Sequence, residues 1–241
     1  MKKVQQQIQE KLPSLADEIL QTFDAQKVAA YYDFLEEKNE VGGFFSKQDT
    51  ARILERHILE SICFVYYVSK QKNVSRETQI ADVGTGPGLP GYLFLCLISK
   101  PNITFIDSQK KRLALLQDFT KSENMDAKFL YKRVEEIRDL KFDIAVTRAV
   151  IPYPFSVEVI VRILKQGGFY IPFLGKKSYA LDKEKSYLKS NGYTLSKEII
   201  LTELDFLGER HIKFLKKERK AVHGYPRTWK QIHKEIKENH G

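Results

Sequence analysis

A chain of 241 residues with 42% hydrophobic and 29% charged residues can bury one large core, which excludes collagen-like, low-complexity and wholly disordered chains. Its longest apolar runs, residues 62–68 and 92–98, are seven residues each, far short of the roughly 18 that a membrane-spanning helix needs. The formal charge of +9 is concentrated at one end, where residues 210–241 carry ten Lys/Arg against three Asp/Glu, a balance that attracts polyanions by releasing their counterions.

In chain order, residues 1–13 combine Lys2 and Lys3 with Gln5, Gln6, Gln7, Gln9 and Glu10. That stretch lacks the apolar segment of a secretory signal, so the expected compartment is the cytoplasm. Up to about residue 70 the period is helical: Leu12, Leu15, Ile19, Leu20 and Phe23 recur at three- and four-residue spacing, and Val28, Tyr31, Tyr32, Phe34 and Leu35 form a second face. Gly42 and Gly43 interrupt it, and residues 53–68 resume as a helix. Cys63 and Cys96 each sit inside an apolar run, which points to reduced core thiols and to neither a disulfide framework nor a metal site.

From residue 79 the pattern changes to short β-type runs alternating with amphipathic segments. Strands are predicted at 80–83, 103–106, 129–131, 142–146 and 169–173, with helices at 90–99, 109–122, 134–139, 155–164 and 178–190. Such alternation predicts an α/β fold, a Rossmann-like doubly wound parallel sheet with its ligand at the carboxyl ends of the strands, carrying an N-terminal helical extension. Residues 194–201 and 211–215 read as a closing pair of strands, and the basic, proline-containing segment from Ala221 ends as a short helix. The expected division is a helical region over 1–75 packed on the core, a ligand-binding core over 76–217 and a basic tail over 218–241. Phe214, Tyr225 and Trp229 among the tail's cations favour single-stranded nucleic acid, whose bases stack on rings; a solvated surface helix is the plainer alternative.

The densest local signal is Asp82-Val-Gly84-Thr-Gly86-Pro-Gly88-Leu-Pro90-Gly91, at the junction of the first predicted strand and helix. Glycines there let backbone N–H groups approach a ligand, and Pro90 suits a first helical turn. The segment satisfies the dinucleotide pattern from Gly86 to Gly91, and also the Asp-x-Gly-x-Gly-x-Gly loop of S-adenosylmethionine-dependent methyltransferases. Asp82 separates the two readings. A carboxylate ending an apolar strand needs a cation or several donors; a methionine moiety brings an ammonium group, whereas a pyrophosphate brings more negative charge. Asp107, 25 residues on at the end of the second strand, can accept both ribose hydroxyls. Either aspartate also suits a helix cap or turn. Glu135 follows the third strand, where it is equally an ordinary solvated carboxylate. Arg148, closing the apolar strand of residues 144–146, needs a carboxylate, phosphate or base edge, or a structural ion pair.

Taken together, these motifs resemble one family, the bacterial GidB-type (RsmG) guanine-N7 methyltransferases of small-subunit ribosomal RNA. The resemblance is ordered along roughly residues 30–225: Arg56-His-Ile-Leu-Glu-Ser61, the loop Asp82–Gly91, Asp107-Ser108 with Lys111-Arg112, Arg133-Val-Glu-Glu136, Thr147-Arg-Ala149, Lys165-Gln-Gly-Gly168 and Gly208-Glu-Arg-His211. It implies a 16S ribosomal RNA substrate, S-adenosyl-L-methionine as cofactor, and cofactor contacts at Gly84, Leu89, Val134, Glu135 and Arg148, beside the Asp82, Gly86, Gly88 and Asp107 of the loop reading. The candidate RNA contacts are Arg56, His57, Lys176, Lys177 and Arg227. Ribosomal RNA or the small ribosomal subunit is the implied partner, with no membrane and no metal. The chain departs from the family pattern at 42–47, where an Asn-Leu-Thr element is usual, at Leu174-Gly175, where Lys-Gly is usual, and from Thr228 to His233, which replace a Gly/Pro-rich ending.

Guanine N7 carries a free in-plane lone pair, so its methylation requires no catalytic base. The chain shows neither a Ser-His-Asp arrangement nor the Asn/Asp-Pro-Pro-aromatic motif used on exocyclic amines. The expected source of rate enhancement is alignment of N7 with the sulfonium methyl, with Arg148 in a positioning role. The competing readings are a methyltransferase of the same fold with another substrate, a nicotinamide oxidoreductase, and a non-catalytic RNA-binding assembly factor.

Overall fold

The computed structural model describes residues 1–40, 44–176 and 179–240; the predicted glycine break at 42–43 and the candidate Lys177 lie outside them. Seven strands form one sheet in the order β3-β2-β1-β4-β5-β7-β6: β1 (Gln79–Val83), β2 (Asn102–Ile106), β3 (Lys128–Leu130), β4 (Phe142–Arg148), β5 (Leu164–Leu174), β6 (Tyr193–Ile200) and β7 (His211–Lys217). β1 to β5 are parallel, as the alternation predicts, and the closing pair β6 and β7 makes the far edge antiparallel. The sheet is therefore mixed.

Strand periodicity decides how the two faces are covered, since successive side chains point to opposite sides. Ile80, Phe105, Ile144, Val146, Ile171 and Phe214 join one apolar cluster, while Ala81, Val83, Ile106, Ala145, Tyr170 and Leu215 join another. The first face is covered by the N-terminal helices α1 (Lys2–Lys11), α2 (Ala16–Thr22), α3 (Ala25–Glu40) and, after the short α4 (Lys47–Thr50), α5 (Glu60–Lys72), whose Ile8, Ile19, Tyr31 and Phe64 share that cluster with the flanking Leu12 and Ile58. α6 (Gly91–Leu95) and α7 (Lys110–Ser122) add Leu93 and Leu116 to it. α8 (Phe155–Ile160), α9 (Leu181–Asn191) and the C-terminal α10 (Trp229–His240) cover the second face with Phe155, Leu188 and Ile232.

Three predicted helices come out shorter, each for a local reason. Residues 134–139 form only a single 3-10 turn, Val134–Glu136, because Ile137 returns to extended backbone on the way into β4. Within 90–99 the helix stops at Leu95, where the chain pairs with the end of α2: Asp24 N–H donates to the Cys96 carbonyl at 2.8 Å and Ile98 N–H to the Thr22 carbonyl at 3.1 Å. The predicted 155–164 helix tightens into a 3-10 turn over Val161–Ile163 before β5 begins. The predicted helix at 53–68 opens with a π-helical turn, Leu54–Leu59, a geometry that often marks functional sites.

The C-terminal segment is not a free basic tail. Ile232 is 2% exposed in the second cluster. Four of the cations after residue 209 are engaged inside the fold: Arg210 with Glu60, Lys213 with Glu184, Lys217 with the Val161 and Leu164 carbonyls, and Arg227 with Glu158. Arg219, Lys220, Lys230, Lys234 and Lys237 face solvent, so the basic surface is smaller than the sequence count suggests.

Candidate functional site

Sheet register brings the loop ends together. Val83 pairs with Ile106 on one side and with Thr147 on the other, so Gly84, Asp107 and Arg148 leave β1, β2 and β4 side by side. The strand order reverses between β1 and β4, and a doubly wound sheet places its ligand crevice at the carboxyl ends there. Two cavities occupy this edge, of about 360 Å³ and about 510 Å³, and they share Arg148, Ala149 and Ile151. Ala149 sits in the left-handed region with φ 54°, an uncommon conformation for a residue with a Cβ.

The first cavity is lined by Gly84, Gly86, Asp107, Val134, Glu135 and Arg148 of the sequence-predicted contacts, together with Trp229. Gly86 has φ 56°, and a Cβ built on it would meet nothing within 4 Å, so its bare backbone is open to a ligand. Gly84 has no such latitude, because a Cβ there would come within 2.3 Å of Val150. Asp107 holds the loop at its rim, accepting the Gly86 N–H at 2.9 Å and the Gln109 N–H at 2.8 Å.

Asp82, Gly88 and Leu89 do not line the cavity. Asp82 is fully buried beneath the loop and accepts from Thr85 Oγ1 and from Gly91 N–H at 2.9 Å. The alternative of a turn residue thus describes its contacts better than a partner for ammonium. Burial pushes its carboxyl up to about 7, against the pull of the Thr85 and Gly91 hydrogen bonds. Gly88 faces Leu116 and Tyr31, and Leu89 is 4% exposed in the core.

The second cavity lies between β4, β5 and the π-helical turn. Arg148 crosses from β4 to donate to Ser61 Oγ at 2.8 Å and to His57 Nδ1, and its guanidinium stands 3.5 Å from Glu60. Arg210 binds the other oxygen of Glu60. Glu60 is thus a buried carboxylate between two arginines, the arrangement a buried charge requires. Burial and the neighbouring Arg148 push the His57 imidazole down to about 3, so it is neutral at physiological pH. Its ring stacks on Phe45 at 4.0 Å. Arg56 lines the same cavity and pairs with Asp49 at 2.8 Å. Lys176 is exposed just beyond the cavity-lining Gly175.

Arg227 departs from its expected role as an RNA contact. Its guanidinium donates to both oxygens of Glu158, at 3.0 and 2.8 Å, to Tyr187 Oη at 2.8 Å, and reaches Glu235 at 2.9 Å. The hydrogen bond with Glu158, a side chain at 0% exposure, raises its pKa further. It is a clasp on the C-terminal segment.

Residues 24–213 match the family profile described as GidB, rRNA small subunit methyltransferase G. The chain belongs to this family. A ribosomal RNA small subunit methyltransferase G of Leptospira biflexa serovar Patoc is 46% identical over all of this chain and 99% of its own, and one of Leptospira borgpetersenii serovar Hardjo-bovis is 45% identical over 99% and 94%. In fold the chain is similar to a solved MtNAS variant in complex with S-adenosylmethionine, with TM-score 0.58 and 14% identity over 76% of this chain and 71% of that one.

As a member of the rRNA small subunit methyltransferase G family the chain is a methyltransferase, with S-adenosylmethionine as methyl donor. The first cavity fits that donor: an open glycine backbone at Gly86, two carboxylates, Asp107 and Glu135, for hydroxyl and amino groups, and apolar Val134 and Trp229 for a base. Glu60, Ser61 and Arg210 lie inside the motifs Arg56–Ser61 and Gly208–His211, but the sequence reading gave them no role. The available signal is Glu60 itself, a carboxylate directly ahead of the apolar run at 62–68. No helix among the described residues is long and apolar enough to cross a membrane.

The position of Asp82 gives an expected result for two variants. Asp82→Asn keeps an acceptor for Thr85 and Gly91 and should hold cofactor affinity within about threefold, whereas Asp82→Ala releases the loop and should weaken it about tenfold, one or two hydrogen bonds' worth. The folded-state value of about 7 lies above the ordinary carboxyl value of 3.8, so the native state retains this proton more strongly than the unfolded chain. That contribution is complete below about pH 4 and is lost as pH rises through 7. Denaturant titrations at pH 5 and pH 8 should show the loss in the parent and a smaller one in Asp82→Asn. An Asp82→Asn protein weakened as far as Asp82→Ala, measured by calorimetry, would return Asp82 to direct ligand contact.

Proposed function

We propose that the chain transfers the methyl group of S-adenosylmethionine to N7 of a guanine in 16S ribosomal RNA. The observation that carries the reading is the junction of the two cavities, where one arginine faces both and the described groups around it, His57 and Glu60, are poorly suited to take a proton. His57 is too weak a base at neutral pH, and Glu60 is tied to Arg148 and Arg210. Guanine N7 asks for no proton to be removed. Exocyclic amines must lose one.

S-adenosylmethionine supplies an electrophilic sulfonium methyl. The chain's own residues align and screen. Gly84 and Gly86 offer backbone in the first cavity, Asp107 braces their loop, and Arg148, fixed by His57, Ser61 and Glu60, orients the base that enters the second. Guanine presents O6 beside N7 on its major-groove edge, so a guanidinium can hold the base through O6 while the N7 lone pair stays free to attack. Orientation of this kind contributes through alignment and preorganised charge. A base in folded RNA has to leave its stack to reach the cavity. The small ribosomal subunit or its RNA is the proposed partner, which places the protein in the cytoplasm.

The test is the N7-methylguanosine content of 16S ribosomal RNA from a strain lacking the gene, before and after its restoration, mapped by mass spectrometry. One position should lose its methyl group and regain it. An unchanged map would overturn the substrate while leaving the methyltransferase assignment.

A further inference from the structure

The C-terminal helix reaches the cofactor cavity. Trp229, the chain's single tryptophan, is half-buried and lines the first cavity beside Val134, Glu135 and Arg133. The Arg133 guanidinium stands 6.0 Å from its ring centroid, and His233, one turn along α10, stacks on it at 5.5 Å. The helix is anchored from below by Ile232 and at its start by the Arg227 clasp on Glu158 and Glu235. An indole held from several sides and open to a cavity is a preorganised platform for a planar ring.

We infer that Trp229 is part of the cofactor site, forming the wall against the adenine of S-adenosylmethionine, so that docking of α10 and binding of the cofactor support one another. The inference rests on the reading of the first cavity as the donor site. Ile106, Val134 and Ile151 line the same cavity, so the indole completes an apolar wall of the kind that suits a base. Asp107, at the end of β2, supplies the acceptors for the adjoining ribose. Trp229 lies beyond residues 24–213, which carry the family match. Linkage requires that whatever stabilises docked α10 raises cofactor affinity, and that cofactor stabilises docked α10.

The probe is S-adenosylhomocysteine, titrated into the full chain by calorimetry and followed by indole emission. Trp229→Ala should bind it about tenfold more weakly and Trp229→Phe within about threefold, as expected for loss and retention of a ring against a base. In the unaltered chain the emission of the lone indole should shift on saturation, a readout that does not depend on a variant folding. Emission unchanged at saturation, or Trp229→Ala affinity within a factor of two of the parent, overturns the inference. So does a Trp229→Ala protein that loses affinity only for a single-stranded RNA oligonucleotide, which would make the indole an RNA contact. A parent chain that binds no S-adenosylhomocysteine overturns both the inference and the cavity reading beneath it.

Discussion

Replacing Arg148 by alanine is expected to lower the rate of methyl transfer by about 100-fold, the order of loss that misalignment of reacting groups produces. Arg148 faces both cavities and is held by Ser61, His57 and Glu60. Its removal takes away the group between donor and base and leaves Glu60 with Arg210 alone. The melting temperature will fall as well, because a buried carboxylate loses a counter-charge. Arg148→Lys separates the two effects. It keeps a positive charge near Glu60 but cannot engage His57 and Ser61 together, since an ammonium lacks the planar fork. The lysine variant should therefore melt closer to the parent and remain slow, with the loss in kcat larger than that in KM. A lysine variant with parental kcat would reduce Arg148 to an ion-pair partner.

The largest stability effect is expected from Arg227→Ala. Glu158 has 0% side-chain exposure, and the Arg227 guanidinium is its charge partner. Removing one partner of a buried pair costs about 3 kcal/mol, which for a chain of this size corresponds to a fall in melting temperature of roughly 8 °C. Replacing both partners by apolar residues, Arg227→Met with Glu158→Leu, should recover most of that loss, as a buried pair replaced whole leaves no orphaned charge. The same geometry sets the expectation for truncation. A chain ending near Lys217 loses the clasp, Ile232 and Trp229 together, so cofactor affinity should fall along with RNA affinity, and the tail and the cavity are not separable. Melting curves of the single and double variants decide the first point; a double variant no more stable than Arg227→Ala would show that the clasp acts through something other than charge.

Much of the fold is written locally. The alternation of apolar runs and amphipathic segments from residue 79 onward places every parallel strand within a few residues, since a strand's two faces and a helix's one stripe leave different periods. The glycine loop and the acidic ends of β1 and β2 are legible for a similar reason: positive φ at Gly84, Gly86 and Gly88 and carboxylates at strand ends are demands that only certain residue types meet. Helix lengths are less legible, because what ends the helices at Leu95 and Glu136 is pairing with Phe23 and the return into β4.

The partners of the charges belong to the tertiary structure. Arg148 meets His57 across 91 residues, Arg210 meets Glu60 across 150, and Arg227 meets Glu158 across 69. From the sequence Arg227 reads as an RNA contact, Arg148 as a cation in need of an unnamed partner, and Arg210 only as one of the ten cations of residues 210–241. Strand order and the packing of helices onto the sheet determine which of them keep a face toward a cavity. Arg148 does, because register sets it beside Gly84 at the reversal of strand order, while Arg227 is used up on a carboxylate that the core has stripped of water. Asp82 illustrates the same division within one residue: its type and position announce a functional loop, and only the backbone's path over it, from Thr85 to Gly91, determines that the carboxylate holds the loop from beneath. Local periodicity depends on neighbours along the chain, whereas desolvation and pairing depend on neighbours in space, and the second set exists only once the sheet has formed.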